Sequence, residues 1–200
     1  MCTGVRFADA AGNLYFGRNL DWCESYGEGV VITPRGASIP TQFLGSLSPE
    51  HACVGMGIVV GGVPCYFDCA NEAGLAIAGL NFPGYAQFAE APEEGAVNVA
   101  AYELPLWVAA SFSTVAEVRE ALKGVVIVAK APSEGYGVAQ LHWLVGDGKE
   151  SIVIECQADG MHVYDDGLDV LTNQPPFPWH TENVRNYMHI EIGRASCRER

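Results

Sequence analysis

MCTGVRFADAAGNLYFGRNLDW, Met1–Trp22, sets a cysteine directly behind the first methionine, and an Arg-Asn-Leu-Asp cluster begins sixteen residues after it. Residues 2–8 and 14–20 read as strands, with DAAGN between them as a turn. In an antiparallel hairpin the end of the second strand lies beside the start of the first. Arg18, Asn19 and Asp21 therefore come close to Cys2. Methionine is removed efficiently before a small residue, which would leave Cys2 carrying the chain's α-amine. A free α-amine has an ordinary pKa of about 7.7–8.0, so much of it is neutral at working pH. It can take the thiol proton directly or through water, so that one residue supplies nucleophile and base. The thiolate is the reactive form, and a nearby cation such as Arg18 favours it. Asp21 fits as a hydrogen-bond partner that orients the amine. The same residues also fit a bland reading, a small residue at a strand start and a surface ion pair of little energetic weight.

Outward from this hairpin, a second strand pair is expected at about 53–60 and 64–70, joined through GGV. LAIAGL at 75–80 reads as a short buried strand, and NFPGYAQFAEAPEEG as a loop. Residues 98–111, NVAAYELPLWVAAS, read as a buried helix, with Asn98 as its cap and Pro105 kinking or loosening it. A cleaner helix is predicted at 114–123, where Thr114 and Glu117 make a capping box and Val115, Val118 and Leu122 share a face. The period then falls from 3.6 to 2. Segments 138–146, 151–156, 161–165 and 168–172 form a predicted meander, with Asp147-Gly148, Asp159-Gly160 and Asp166-Gly167 at its turns. A further helix starts near 178 and runs towards 190. Strands, two helices, then strands give an α+β fold with helices packed on antiparallel sheet.

The 200 residues fit one domain, and 49% apolar against 18% charged composition supports a packed core. The formal net charge of −13 is spread along the body, which disfavours nucleic acid and anionic membranes as partners. No secretory signal and no long apolar span is apparent, so the expected compartment is the cytoplasm. The seven cysteines then read mostly as buried thiols, and no metal set is completed around the C-x3-C of Cys65 and Cys69. The last ten residues, EIGRASCRER, carry three Arg against two Glu in an otherwise acidic chain and show no apolar periodicity. They read as an artefact of sequencing or cloning joined to a domain over residues 1–190.

Four separated stretches add a resemblance. MCTG, FGRNLD at 16–21, NEAGLAIAGLNFP at 71–83 and LTNQPPFPWH at 171–180 stand in the order and spacing of the choloylglycine hydrolase family of N-terminal nucleophile hydrolases. The resemblance covers essentially residues 1–190. It implies a four-layer αββα sandwich, incomplete in this chain, and hydrolysis of a linear amide through an acyl-enzyme. Cys2 matches the family's nucleophile, and Arg18 and Asp21 match residues that position and polarise it. Asn81 and Asn173 match asparagines flanking the scissile carbonyl, where an oxyanion needs preorganised neutral donors. The resemblance also implies a further arginine downstream of this chain, no cofactor, and a homotetramer for the full-length protein.

Asn81 stands where bile salt hydrolases tend to carry Asn and penicillin V acylases Tyr. The expected substrate is therefore a glycine- or taurine-conjugated bile salt, with penicillin V or an N-acyl homoserine lactone as alternatives. A steroid needs an apolar pocket, which Leu20, Trp22 and Tyr26 could line unless they simply pack in the core. Gly61 and Gly62 are expected at the pocket entrance. Two other classes stay open at this stage. One is a binding homologue without turnover, and the other a Cys-His protease using His142, His162 or His180.

Overall fold

The computed structural model describes residues 1–188. In chain order its strands are β1 (Cys2–Ala8), β2 (Leu14–Leu20), β3 (Gly29–Thr33), β4 (Ile39–Thr41), β5 (Gly45–Leu47), β6 (Cys53–Val60), β7 (Val63–Asn71), β8 (Ala76–Asn81) and β9 (Val97–Ala100). A short 3-10 turn and helices α1 (Leu104–Ser111) and α2 (Val115–Leu122) follow. The chain continues through β10 (Val125–Val128), β11 (Leu141–Gly146), β12 (Ser151–Gln157), β13 (Gly160–Asp165), β14 (Val170–Leu171) and α3 (Phe177–Val184).

Seven strands form one antiparallel sheet in the order β13-β12-β11-β8-β7-β6-β3, and three form a second in the order β14-β1-β2. The central strands β8, β11 and β12 are almost continuously apolar because both of their faces are covered. On one face α1 and α2 pack over Leu75, Ile77, Trp143, Val145, Ile152 and Ile154. On the other, Ala78, Leu80, Leu144 and Val153 meet Cys2, Leu171 and Phe177. Gly4 permits this approach of the two sheets: a Cβ there would stand 3.1 Å from Leu144 Cδ2. The layers are helix, sheet and sheet, three of the four in the expected αββα sandwich. Beyond β2 the inner face of the large sheet is uncovered among the described residues, and Val30 and Ile32 there are each 71% exposed.

Several local expectations change. The stretch predicted as one helix over 98–111 splits. Residues 97–100 form β9, which pairs in parallel with β10. Asn98 ties back to Glu93 in the preceding loop and does not cap a helix. Pro105 lies in the first turn of α1, where a missing N–H costs nothing, so it starts the helix and does not kink it. In α2 Thr114 Oγ1 accepts from the Glu117 N–H as predicted, while Glu117 reaches back one residue further, to the Ser113 N–H. The fourth strand of the predicted meander leaves it: β14 pairs with β1 in the other sheet. Gly61 and Gly62 have φ of 59° and 84° and make the two-residue turn between β6 and β7. That turn demands positive φ at both positions, and while neither glycine lines the cleft described below, Ile58 and Cys65 of the same two strands do. No helix among the described residues is long and apolar enough to cross a membrane. The expectation about residues 191–200 falls outside the described residues.

Candidate active site

The β1–β2 hairpin pairs Cys2 with Leu20 and Gly4 with Arg18. Residues two apart on a strand share a face, so Arg18 and Cys2 point the same way, into the space between the sheets. The Arg18 guanidinium is almost fully buried, with one nitrogen 3.8 Å from Cys2 Sγ and another 3.5 Å from Asp68 Oδ2. Its Nε–H has no partner among the described residues. Burial pushes the Asp68 carboxyl up, opposed by the charge of Arg18. Asp68 thus offsets the buried guanidinium while leaving one of its edges for the thiol.

Asn173 stands on the other side of Cys2. Its Oδ1 accepts from the Cys2 backbone N–H at 2.6 Å, and its Nδ2 donates to the Asn81 carbonyl at 2.8 Å. One amide therefore joins the end of β8 to the start of β1 across the gap between the sheets. The Asn81 side chain makes no hydrogen bond of its own among the described residues and lines the cleft. The two asparagines differ in office: Asn173 is committed to the frame, and Asn81 has a free donor. Met1 is present, so the terminal ammonium is its own. It donates to Asp21 O at 2.6 Å and stands 3.3 Å from Asp21 Oδ2. Asp21 thus sits at the amino terminus, on the exposed rim, and away from the Cys2 sulfur contacts.

The cleft opening from Cys2 has a volume of about 500 Å³. Leu20, Trp22 and Tyr26 all line it, together with Phe67, Tyr102 and Leu141. Trp22 Nε1 donates to Tyr26 Oη at 3.1 Å, and Tyr26 meets Phe67 edge to face. These residues are neither core nor scattered surface; they form an aromatic wall. Lys130 is a second cation in the lining, and no carboxylate among the described residues belongs to it. Cys65 also lines the cleft, but burial and the charge of Glu103 push its thiol up to about 11, so it stays protonated at neutral pH. Sequence reasoning did not single out Asp68 or Lys130. Asp68 lies in a stretch read only as strand and Lys130 in one given no reading, and neither has a spacing signal.

Comparison with known proteins gives the family and the fold. Residues 2–197 match the family described as linear amide C-N hydrolases, choloylglycine hydrolase family. The chain is 58% identical over 191 residues to the bile salt hydrolase/transferase of Bifidobacterium longum subsp. longum, covering 95% of this chain and 60% of that one. It is 52% identical over 198 residues to the conjugated bile acid hydrolase of Lactobacillus gasseri, covering 98% and 63%. Among solved structures, the C2A mutant of the conjugated bile acid hydrolase from Clostridium perfringens superimposes with a TM-score of 0.92 at 36% identity, over 98% of this chain and 60% of that one. The chain spans about 60% of the length of the curated relatives it matches.

Proposed function

The chain belongs to the choloylglycine hydrolase family of linear amide C-N hydrolases, and we propose that the whole protein hydrolyses the amide of glycine- or taurine-conjugated bile salts. The observation that carries this reading is Cys2, a buried thiol at the second position, facing a guanidinium and opening into an aromatic cleft that no carboxylate among the described residues lines. Removal of Met1 turns the Cys2 nitrogen into the α-amine, already oriented by Asn173. The thiol proton passes to this amine as sulfur bonds to the scissile carbonyl carbon. The oxyanion is stabilised by the free amide of Asn81. The C–N bond then breaks, and the α-ammonium returns the proton to the departing glycine or taurine nitrogen. Water adds to the thioester, gives a proton to the amine, and releases the bile acid as the thiol re-forms. Arg18 stabilises the anionic sulfur, and Asp21 steadies the amino terminus.

The aromatic wall suits the apolar acyl part, and the two cations suit a substrate that carries an anion. Identity to bile salt hydrolases, together with Asn81, favours bile salts over penicillin V. The same reading makes the whole protein a cytoplasmic homotetramer that acts on a small molecule without cofactor, nucleic acid or membrane.

The test is amine release from glycocholate and taurocholate by protein whose first residue is Cys2, with penicillin V in parallel. Release from the bile salts, abolished by Cys2→Ser, is the expected result. Release from penicillin V alone would overturn the substrate, and undiminished release by Cys2→Ser would overturn the mechanism.

A further inference from the structure

The peptide units on both sides of Asn173 are held by imidazoles. His142 Nε2 stands 2.8 Å from Thr172 O, and His180 Nε2 stands 2.9 Å from Asn173 O. Carbonyl oxygens only accept, so each of these nitrogens carries the proton and donates. His142 is fully buried on β11, and its Nδ1 lies 2.9 Å from Glu155 Oε1 on β12, equally buried. Glu155 also accepts from the Phe177 N–H at the start of α3 and from Gln157 Nε2. The His142 ring stacks on Phe82 with centroids 4.3 Å apart and planes 8° from parallel. Phe82 follows Asn81, as Thr172 precedes Asn173. One imidazole therefore contacts the neighbours of both asparagines.

A buried His–Glu pair is a weak source of stability, because desolvating it consumes much of what the contact returns. An apolar pair of similar volume would spare that desolvation. What it lacks is an acceptor for the Phe177 N–H and a directed N–H aimed at Thr172 O. We infer that the His142–Glu155 pair is a positioning device for the reaction, which sets the Asn173 amide against the Cys2 nitrogen and the Asn81 carbonyl. Glu155 fixes the ring so that Nε2 donates outward. The ring then sets the Thr172 carbonyl and, through Phe82, the end of β8. The inference rests on the reading of Cys2 and the two asparagines given above. Neither His142 nor Glu155 lines the cleft, so neither is a catalytic residue.

The two amide isosteres separate positioning from mere support. In His142→Gln the side-chain nitrogen takes the place of Nε2, which keeps the bond to Thr172 O and gives up the one to Glu155. In His142→Asn the nitrogen takes the place of Nδ1, which keeps Glu155 and gives up Thr172 O. On glycocholate, His142→Gln is expected to hold kcat within about threefold of the parent. His142→Asn is expected to lose kcat by about 10²-fold with KM little changed, since a misplacement of about 1 Å can cost that much. The double variant His142→Leu with Glu155→Leu leaves the buried Phe177 N–H and the Thr172 carbonyl without their partners, so it is expected to lower Tm and to lose kcat by about 10²-fold. A merely structural pair predicts the reverse: His142→Gln, with Glu155 left without its imidazole, would be the damaged one, and the double Leu variant, where it folds, would keep the parent's kcat. Either result overturns the inference. Amide hydrogen exchange over residues 172–173 is read in the same proteins. If the parent releases no amine from glycocholate, the proposed function fails but exchange still decides the inference. It stands if exchange is about tenfold faster in His142→Asn than in His142→Gln, and it falls if the two are alike.

Discussion

At the scale of single residues, the two asparagines make the sharpest distinction. Asn173 spends both ends of its amide on the backbone of Cys2 and Asn81. Asn81 spends nothing. Asn81→Ala should therefore lower kcat by about 10²–10³, the usual effect of losing one oxyanion donor, and leave Tm nearly unchanged. Asn173→Ala should lower kcat at least as much and also lower Tm, because it strands a buried N–H and a carbonyl. Steady-state kinetics and a thermal melt on both variants check this; equal Tm losses would contradict it. How much of this was legible in the sequence follows from distance along the chain. Cys2 and Arg18 lie on one hairpin, and a period of two places them together. Asn81 and Asn173 are ninety-two residues apart, and no local pattern joins their strands. They were singled out only through the family resemblance. Asp68 and Lys130 had neither kind of signal.

At the scale of elements, strands bounded by tight turns were readable: the first hairpin, β6 with β7, and β11 through β13. The misreadings have physical causes. NVAA at 98–101 is apolar without periodicity, and its parallel partner β10 lies beyond two helices, so nothing local marks it as strand. β3 carries large apolar side chains on an uncovered face, which breaks the usual rule of apolar inside. The turn between β13 and β14 makes a prediction of its own. Burial, together with the charge of Asp169, pushes the Asp166 carboxyl from its ordinary 3.8 up to about 6. One of its oxygens accepts from the Leu168 N–H, and the other has no partner among the described residues. A carboxyl raised in the folded state holds its proton more tightly there than in the unfolded chain. Its contribution is complete below about pH 3.8 and is lost as pH rises through about 6. Asp166→Asn removes the ionisation and keeps the acceptor for Leu168. The variant should melt with the parent near pH 4 and above it at pH 7, by something on the order of 2 kcal/mol. Parallel melting curves across that range would count against this account of the turn.

At the scale of the whole molecule, the cleft exists because two sheets are held apart at one end and pinned together at the other. The pin is the apolar contact of Gly4, Leu80, Leu144, Val153 and Phe177. The open end is walled by β2, the loop after it, β7 and the segment 130–141. A chain of net charge −13 thereby presents a cleft whose charged lining, among the described residues, is Arg18 and Lys130. Low-dielectric walls focus such a local field, so an anion meets attraction inside a molecule that repels it outside. The α+β class followed from element order, but the division of strands between two sheets did not, because β14 crosses to the second sheet only after the meander is complete. In the reaction proposed here, acyl transfer runs through the Cys2 sulfur. The most direct measurement is mass spectrometry of protein with Cys2 as its first residue, quenched in acid during turnover of glycocholate. The account predicts one cholyl group in thioester linkage on the peptide that begins at Cys2, absent after hydroxylamine treatment. Glycine release at full rate with that peptide unmodified throughout, or with an adduct on any other residue, would contradict it.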